Sequence, residues 1–278
     1  MTETLEERER DIPLTQQERR AVARSQATST RIIHEIVRRH GDEEMERPTL
    51  SLLISGLAGG IAISTSVLAQ STIESMLPDT PWRPLVACLG YSLGFLIVIL
   101  SRLQLFTEST LSAVIPVATH PGFINMLRLF RFWALVLGAN LCGTFLIAAG
   151  FHAGWIGSPA QYHAMVDLSS HLLQRDAWQT LKMGIPAGFL IATVPWCLPS
   201  ARGQEFWVIL VLTYFIALGG FAHVVAGSGE AWLLALDGRI GFAHAVAYII
   251  LPALVGNIIG GTGLFAVLAH TQVRQELT

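Results

Sequence analysis

A lone histidine, His223, lies in the middle of the run Phe-Ile-Ala-Leu-Gly-Gly-Phe-Ala-His-Val-Val-Ala-Gly-Ser over residues 215–228. An ionisable ring in such apolar surroundings is costly unless it faces a cavity or a partner, so it marks a path for ions or protons. A second polar cluster interrupts apolar sequence at Ser101-Arg-Leu-Gln-Leu-Phe-Thr-Glu-Ser-Thr110. There Thr107 offers a hydroxyl, while Leu105 and Phe106, with Phe221 beside the histidine, would keep a neck narrow and dry. A dry neck resists a bare charge but passes a neutral acid, so a proton handed from His223 to a small anion would remove most of the anion's barrier. The competing reading is a histidine hydrogen-bonded to Asn257 or Thr107 for packing alone.

Four charged residues stand near these two stretches. Arg102 opens the first, Glu108 follows it by six residues, Glu230 lies seven past His223, and Lys182 sits at the edge of another apolar segment. Arg102 or Lys182 could attract an anion. Alternatively Arg102 pairs with Glu108 or Glu230 as a buried ion pair, and the two carboxylates are also compatible with a cation path.

Other chemistries find little support. Gly90-Tyr-Ser-Leu-Gly94 has the GxSxG spacing of a hydrolase elbow, but it lies in a continuous apolar helix with no strand before it. Neither an HExxH nor a Walker A pattern is present, so an enzyme is not expected. Cys88, Cys142 and Cys197 fall at unrelated spacings in apolar segments, as small core residues and not as metal ligands or a disulfide framework. No basic groove with interleaved aromatics suggests nucleic acid, and no cofactor is implied.

The elements that must position these residues are membrane helices. A mean hydropathy of +0.51 and a charged fraction of 14% over 278 residues describe a polytopic membrane protein. Apolar stretches near 49–76, 84–118, 132–154, 179–198, 205–236 and 242–271 can each cross a hydrocarbon core about 30 Å thick. Residues 1–48 hold 9 of the 18 basic and 11 of the 20 acidic residues, so the rest of the chain is nearly bare of charge. Met1 to Arg39 contains no apolar signal-peptide core, and the first span is expected to act as its own insertion signal. On one side of the six spans lie the nine basic residues of the tail with Arg128, Arg131, Arg202 and Arg274; on the other lie only Arg83, Arg175 and Arg239. The positive-inside rule then puts both termini in the cytoplasm. The expected organisation is a charged tail over 1–48, a six-helix membrane domain over 49–271 and a short tail over 272–278. Ala21, Ile32, Ile33, Ile36 and Val37 allow part of the first tail to be an amphipathic helix, on the bilayer or on the protein.

The second and fifth segments read as broken helices, because polar residues and glycines at membrane depth free backbone groups that must line a cavity or be buried in protein. A weak internal repeat pairs them. Gly56-Leu-Ala-Gly-Gly-Ile-Ala-Ile-Ser-Thr65 resembles Gly184-Ile-Pro-Ala-Gly-Phe-Leu-Ile-Ala-Thr193, and Asn140-Leu-Cys-Gly143 resembles Asn257-Ile-Ile-Gly260. Two units of three spans insert with opposite orientation, which gives an all-α inverted repeat (3+3) with its site near the midplane. At each break the N-terminal end of a half-helix presents free N–H groups that attract an anion.

Leu105-Phe-Thr-Glu-Ser-Thr110, Phe221-Ala-His223 and Gly256-Asn-Ile-Ile-Gly-Gly261 together resemble the formate/nitrite transporter family across all six helices. With Arg102 and the ending His270-Thr-Gln-Val-Arg274, the chain is most similar to its YfdC-type branch. The resemblance implies an aquaporin-like fold, a homopentamer of independent pores in a bacterial inner membrane among its lipids, and passage of small monovalent anions or their weak acids with protons. It implies that Thr107 and His223 meet in the pore near Asn257, that Leu105 closes the cytoplasmic side, and that Tyr91, Phe95 and Ile216 close the other. The chain departs from the family pattern at Gly188, where an asparagine is expected, at Gln104, where many members are acidic, and at Arg102, where they carry a small residue. A non-conducting protein of the same fold that acts through partners, and a pore for neutral solutes, remain alternatives to an anion channel.

Overall fold

The computed structural model describes residues 15–18 and 28–277, so the remainder of the charged tail, including Ala21, lies outside the described residues. Among the described residues the fold is all-helical, with no strand. Its helices are α1 (Thr30–Glu46), α2 (Thr49–Met76), α3 (Arg83–Leu100), α4 (Ser109–Ser112), α5 (Val114–Thr119), α6 (Phe123–His152), α7 (Pro159–Ser169), α8 (Ala177–Cys197), α9 (Glu205–Leu218), α10 (Val224–Leu236) and α11 (Phe242–Gln275). Five of them, α2, α3, α6, α8 and α11, are long and apolar enough to cross a membrane. Residues 205–236 form the pair of shorter apolar helices α9 and α10, separated at residues 219–223.

Local chemistry sets the ends. Proline stands just before α2 and in the first turn of α3, where its missing N–H costs nothing. Helices α7 and α8 each begin with a reciprocal capping box, Ser158 with Gln161 and Asp176 with Gln179. Helix α6 starts earlier than the apolar pattern suggests. Arg128 and Arg131 lie in its first turns on the exposed face, where long stems cover apolar surface while the charged heads reach water.

Small residues let the helices meet backbone to backbone. Gly60 of α2 abuts the backbone of Asn140 in α6, and Gly188 of α8 abuts the backbone of Asn257 in α11; neither site has room for a Cβ. A side chain at Gly188 would force α8 off α11. The interior is filled by Leu52, Ile63, Phe95, Phe132, Ile191 and Ile209, while Leu50, Ile54, Phe123, Leu146 and Val211 face outward, as a lipid-facing surface requires.

Helix α1 lies on the protein. Ile33 and Val37 are buried with Leu111, Ile115, Ala192 and Ala266, whereas Ile32 and Ile36 remain exposed. Gly41 sits against the Ser112 carbonyl with no space for a side chain. Glu44 accepts hydrogen bonds from Gln104 Nε2 (2.8 Å) and Ser112 Oγ (2.9 Å), which ties the amphipathic helix to the first break.

Candidate functional site

The two breaks are built alike. Helix α3 ends in a Schellman turn in which Leu103 N–H bonds the Val98 carbonyl and Arg102 N–H bonds that of Ile99, with Arg102 at φ 53°. Helix α9 ends in the same turn: Phe221 N–H bonds Ile216, Gly220 N–H bonds Ala217, and Gly220 takes φ 60°. Two asparagines then hold the extended backbone that follows. Asn140 donates to the Gly56 and Gln104 carbonyls and accepts from Phe106 N–H. Asn257 donates to the Gly184 and Ala222 carbonyls and accepts from Val224 N–H. Within the breaks themselves the counterparts lie 118 positions apart: Val98 and Ile216, Arg102 and Gly220, Gln104 and Ala222, Phe106 and Val224. By this register Leu105 is the counterpart of His223.

The breaks bring Thr107 and His223 together, with Thr107 Oγ1 2.6 Å from His223 Nε2 and both residues buried. His223 is also the N-cap of α10, and its Nδ1 accepts the Ala226 N–H at 3.2 Å. A nitrogen that accepts a backbone N–H carries no proton, so the neutral ring bears its hydrogen on Nε2 and donates it to Thr107. The edge of the ring meets Phe95 at 4.9 Å between centroids, and Phe95 meets Tyr91 at 5.2 Å.

Two cavities approach this contact. On the side of the α7–α8 connection, a cavity of about 60 Å³ is lined by His223, Tyr91, Phe221, Glu230, His171 and Arg175. It shares several of those residues with a vestibule of about 630 Å³ farther out. On the α1 side, a space of about 550 Å³ is lined by Arg102, Gln104, Glu108, Glu44 and His40. Leu105, Phe95, Thr107 and Ile216 line neither space and are buried, so the neck between the two is shut by packed side chains.

Of the other residues read from the sequence, Asn257 braces the backbone at His223, and Phe221 lines the cavity beside Phe215, 6.0 Å away. Phe106 turns aside to pack edge-on against Trp133, 5.6 Å away. Arg102 is exposed at the α1-side mouth. The buried pairing of Arg102 with Glu108 or Glu230 does not form. Arg102 makes no ion pair among the described residues, because the left-handed turn projects it to the surface, and Glu230 lies across the neck. Lys182 is not brought to the neck; it lies exposed over the Trp178 ring at 5.9 Å, in a surface recess with Arg175, Gln179 and Met183.

Three participants were not singled out from the sequence. Glu44 and His40 join the α1-side mouth, and Arg175, whose Nη1 donates to the Gly220 carbonyl at 2.7 Å, pins the second break. Of the two bracing asparagines, Asn257 is among the residues read from the sequence, whereas Asn140 appears there only in the repeat Asn-x-x-Gly.

A family model described as formate/nitrite transporter matches residues 31–271. The inner membrane protein YfdC of Escherichia coli K12 is 36% identical over 98% of this chain and 86% of its own length. The formate channel FocA of Haemophilus influenzae is 26% identical over 78% of this chain and 84% of its own. Among solved structures, a pentameric formate channel with formate bound superposes with a TM-score of 0.71 over 82% of this chain and 98% of that one, at 22% identity.

Proposed function

Because the chain belongs to the formate/nitrite transporter family, a family of transporters and not of enzymes, we propose that it is a membrane channel for formate, nitrite or a similar small monovalent anion, passed as its conjugate acid. The observation that carries this reading is the His223–Thr107 contact, shut in a neck between two cavities.

The chemistry follows from the geometry. An anion in the 60 Å³ cavity meets the N-terminal end of α10, whose helix dipole favours negative charge. His223 becomes an imidazolium when Nδ1 releases the Ala226 N–H and takes a proton from the cavity. The anion beside it offsets the cost of that buried charge. Imidazolium and anion then give neutral imidazole and neutral acid, and the acid crosses a packed apolar neck that would reject the anion. Thr107 receives the Nε2–H whenever substrate is absent, which keeps the ring oriented. In this reading Leu105 closes the α1 side, Tyr91, Phe95 and Ile216 close the other, and exposed Arg102 draws anions to its mouth.

The wider architecture belongs to the same reading: six crossings in an inverted 3+3 repeat, supported by the constant 118-residue register of the breaks; five copies, each with its own pore; and both termini in the cytoplasm of a bacterial inner membrane, with α1 at the cytoplasmic mouth of the 49–271 domain. The experiment is formate and nitrite uptake into proteoliposomes at a series of pH values, with native protein beside His223→Ala. Saturable uptake that rises in acid and falls in the variant supports the channel. Silence with every anion refutes it, and pH-independent flux indifferent to His223→Ala points to a neutral-solute pore.

A further inference from the structure

The proton chemistry of the neck leaves one buried ionisable group on its path unused. Glu230 lies two helical turns after His223 on α10, so the two are about 10 Å apart along the axis and share a face. Both line the 60 Å³ cavity, but only Glu230 also lines the vestibule beyond it. The carboxylate therefore stands between the vestibule and the histidine. Its side chain is 8% exposed, and Oε2 is buried without a hydrogen bond, 3.7 Å from His171 Nε2.

The groups that face it leave it free to exchange a proton. His171 and Arg175 approach from the α7–α8 connection, and Tyr91 from α3. Arg175 is engaged by the Gly220 carbonyl. The nearby vestibule charges are paired with one another, Arg83 with Glu74 and Asp79 and Asp167 with Arg239. Helix α11 contributes only Ile249 and Ala253, and α6, on the other flank, meets α10 through the Thr144–Ser228 hydroxyl contact.

We propose that Glu230 is a second protonatable station of the pore, which admits a small monovalent anion from the vestibule to His223 only when its carboxyl is protonated. This rests on the anion-channel reading above. The carboxylate takes its proton from vestibule water or from protonated His171 and keeps it while the anion passes, so the anion's own proton still comes from His223. A charged Glu230 shares a space that holds only a few waters with the incoming anion, and repulsion at that separation suppresses entry roughly tenfold or more. Glutamine mimics the protonated state in shape and charge but cannot titrate.

The test uses the full chain in proteoliposomes, with formate as probe, and compares native protein, Glu230→Gln and His223→Ala. Glu230→Gln is expected to raise uptake in mild alkali by about tenfold and to flatten the pH profile. Infrared titration of the native protein is expected to show a carboxylic C=O band that is absent from Glu230→Gln and titrates at a different pH in His171→Ala. A Glu230→Gln protein that elutes as native and keeps the native pH profile overturns the proposal while leaving the channel standing. Native protein silent toward formate and every other small anion overturns the channel, and a missing infrared band overturns the station whether or not Glu230→Gln folds.

Discussion

Replacing Asn257 by alanine should release the second break and with it the histidine. The side chain is fully buried, accepts Val224 N–H at 2.8 Å, and donates to the Ala222 carbonyl at 2.7 Å and the Gly184 carbonyl at 2.9 Å. Gly184 lies within α8 and keeps its helical donor, so the variant orphans two groups, Ala222 C=O and Val224 N–H. Each buried orphan costs about 1–3 kcal/mol, which puts the loss at roughly 2–6 kcal/mol. The orphaned groups flank His223, so its N-cap contact and its Thr107 contact should loosen together. Equilibrium denaturation in mixed micelles reads the stability, and amide hydrogen exchange over 222–226 reads the local opening. Asn140→Ala, which breaks the matching set at Phe106, should cost a similar amount. A change in stability below about 0.5 kcal/mol, with native exchange rates at Val224 and Ala226, would refute the claim that this side chain holds the break.

Two further perturbations test the α1 side. Arg102→Glu should slow anion entry from that mouth by several-fold at low salt, and the difference should shrink as ionic strength rises, because the residue is exposed and acts by steering; a salt-independent loss would point to a structural role. The docking of α1 should depend on pH through His40 and Glu44. The hydrogen bond to Glu44 raises His40 above its ordinary 6.5 against burial, so its contribution is full below that value and fades as pH rises through the raised one. Burial pushes Glu44 up, but hydrogen bonds from His40, Gln104 and Ser112 outweigh it and hold the carboxyl below its ordinary 4.5. Its contribution is full above 4.5 and fades as pH falls through the lowered value. Amide protection factors in α1, corrected for the intrinsic exchange rate at each pH, should accordingly be highest in mild acid and lower in alkali; protection factors that do not change between the two would contradict this pairing.

The breaks were legible because polar residues and glycines interrupt long apolar runs, and no membrane helix tolerates that without a cavity or a partner. The repeat of Gly56 with Gly184 and Asn140 with Asn257 was legible too, as like residues recurring in the two halves, but the bracing of freed backbone by the two amides was not. What escaped the sequence was direction. Nothing in the order of Leu105, Phe106 and Thr107 says that Phe106 turns to Trp133, or that Arg102 accepts a left-handed turn and so points to the surface. Lys182 read as near the pore because hydropathy locates a residue along a helix but not around it; its side chain lies over Trp178 instead. Glu44 looked like one more charge in a charged tail, and its bonds to Gln104 and Ser112 depend on a tertiary docking that has no periodic signature.

The central claim is that a small monovalent anion is neutralised at His223 and crosses the neck as its acid. Formate uptake into proteoliposomes across a pH series, measured for the native protein and for His223→Ala, addresses it most directly. Native uptake that saturates and rises in acid, with that rise lost in His223→Ala, is the predicted result; flux that ignores both pH and the histidine, or no flux with any small anion, would contradict it.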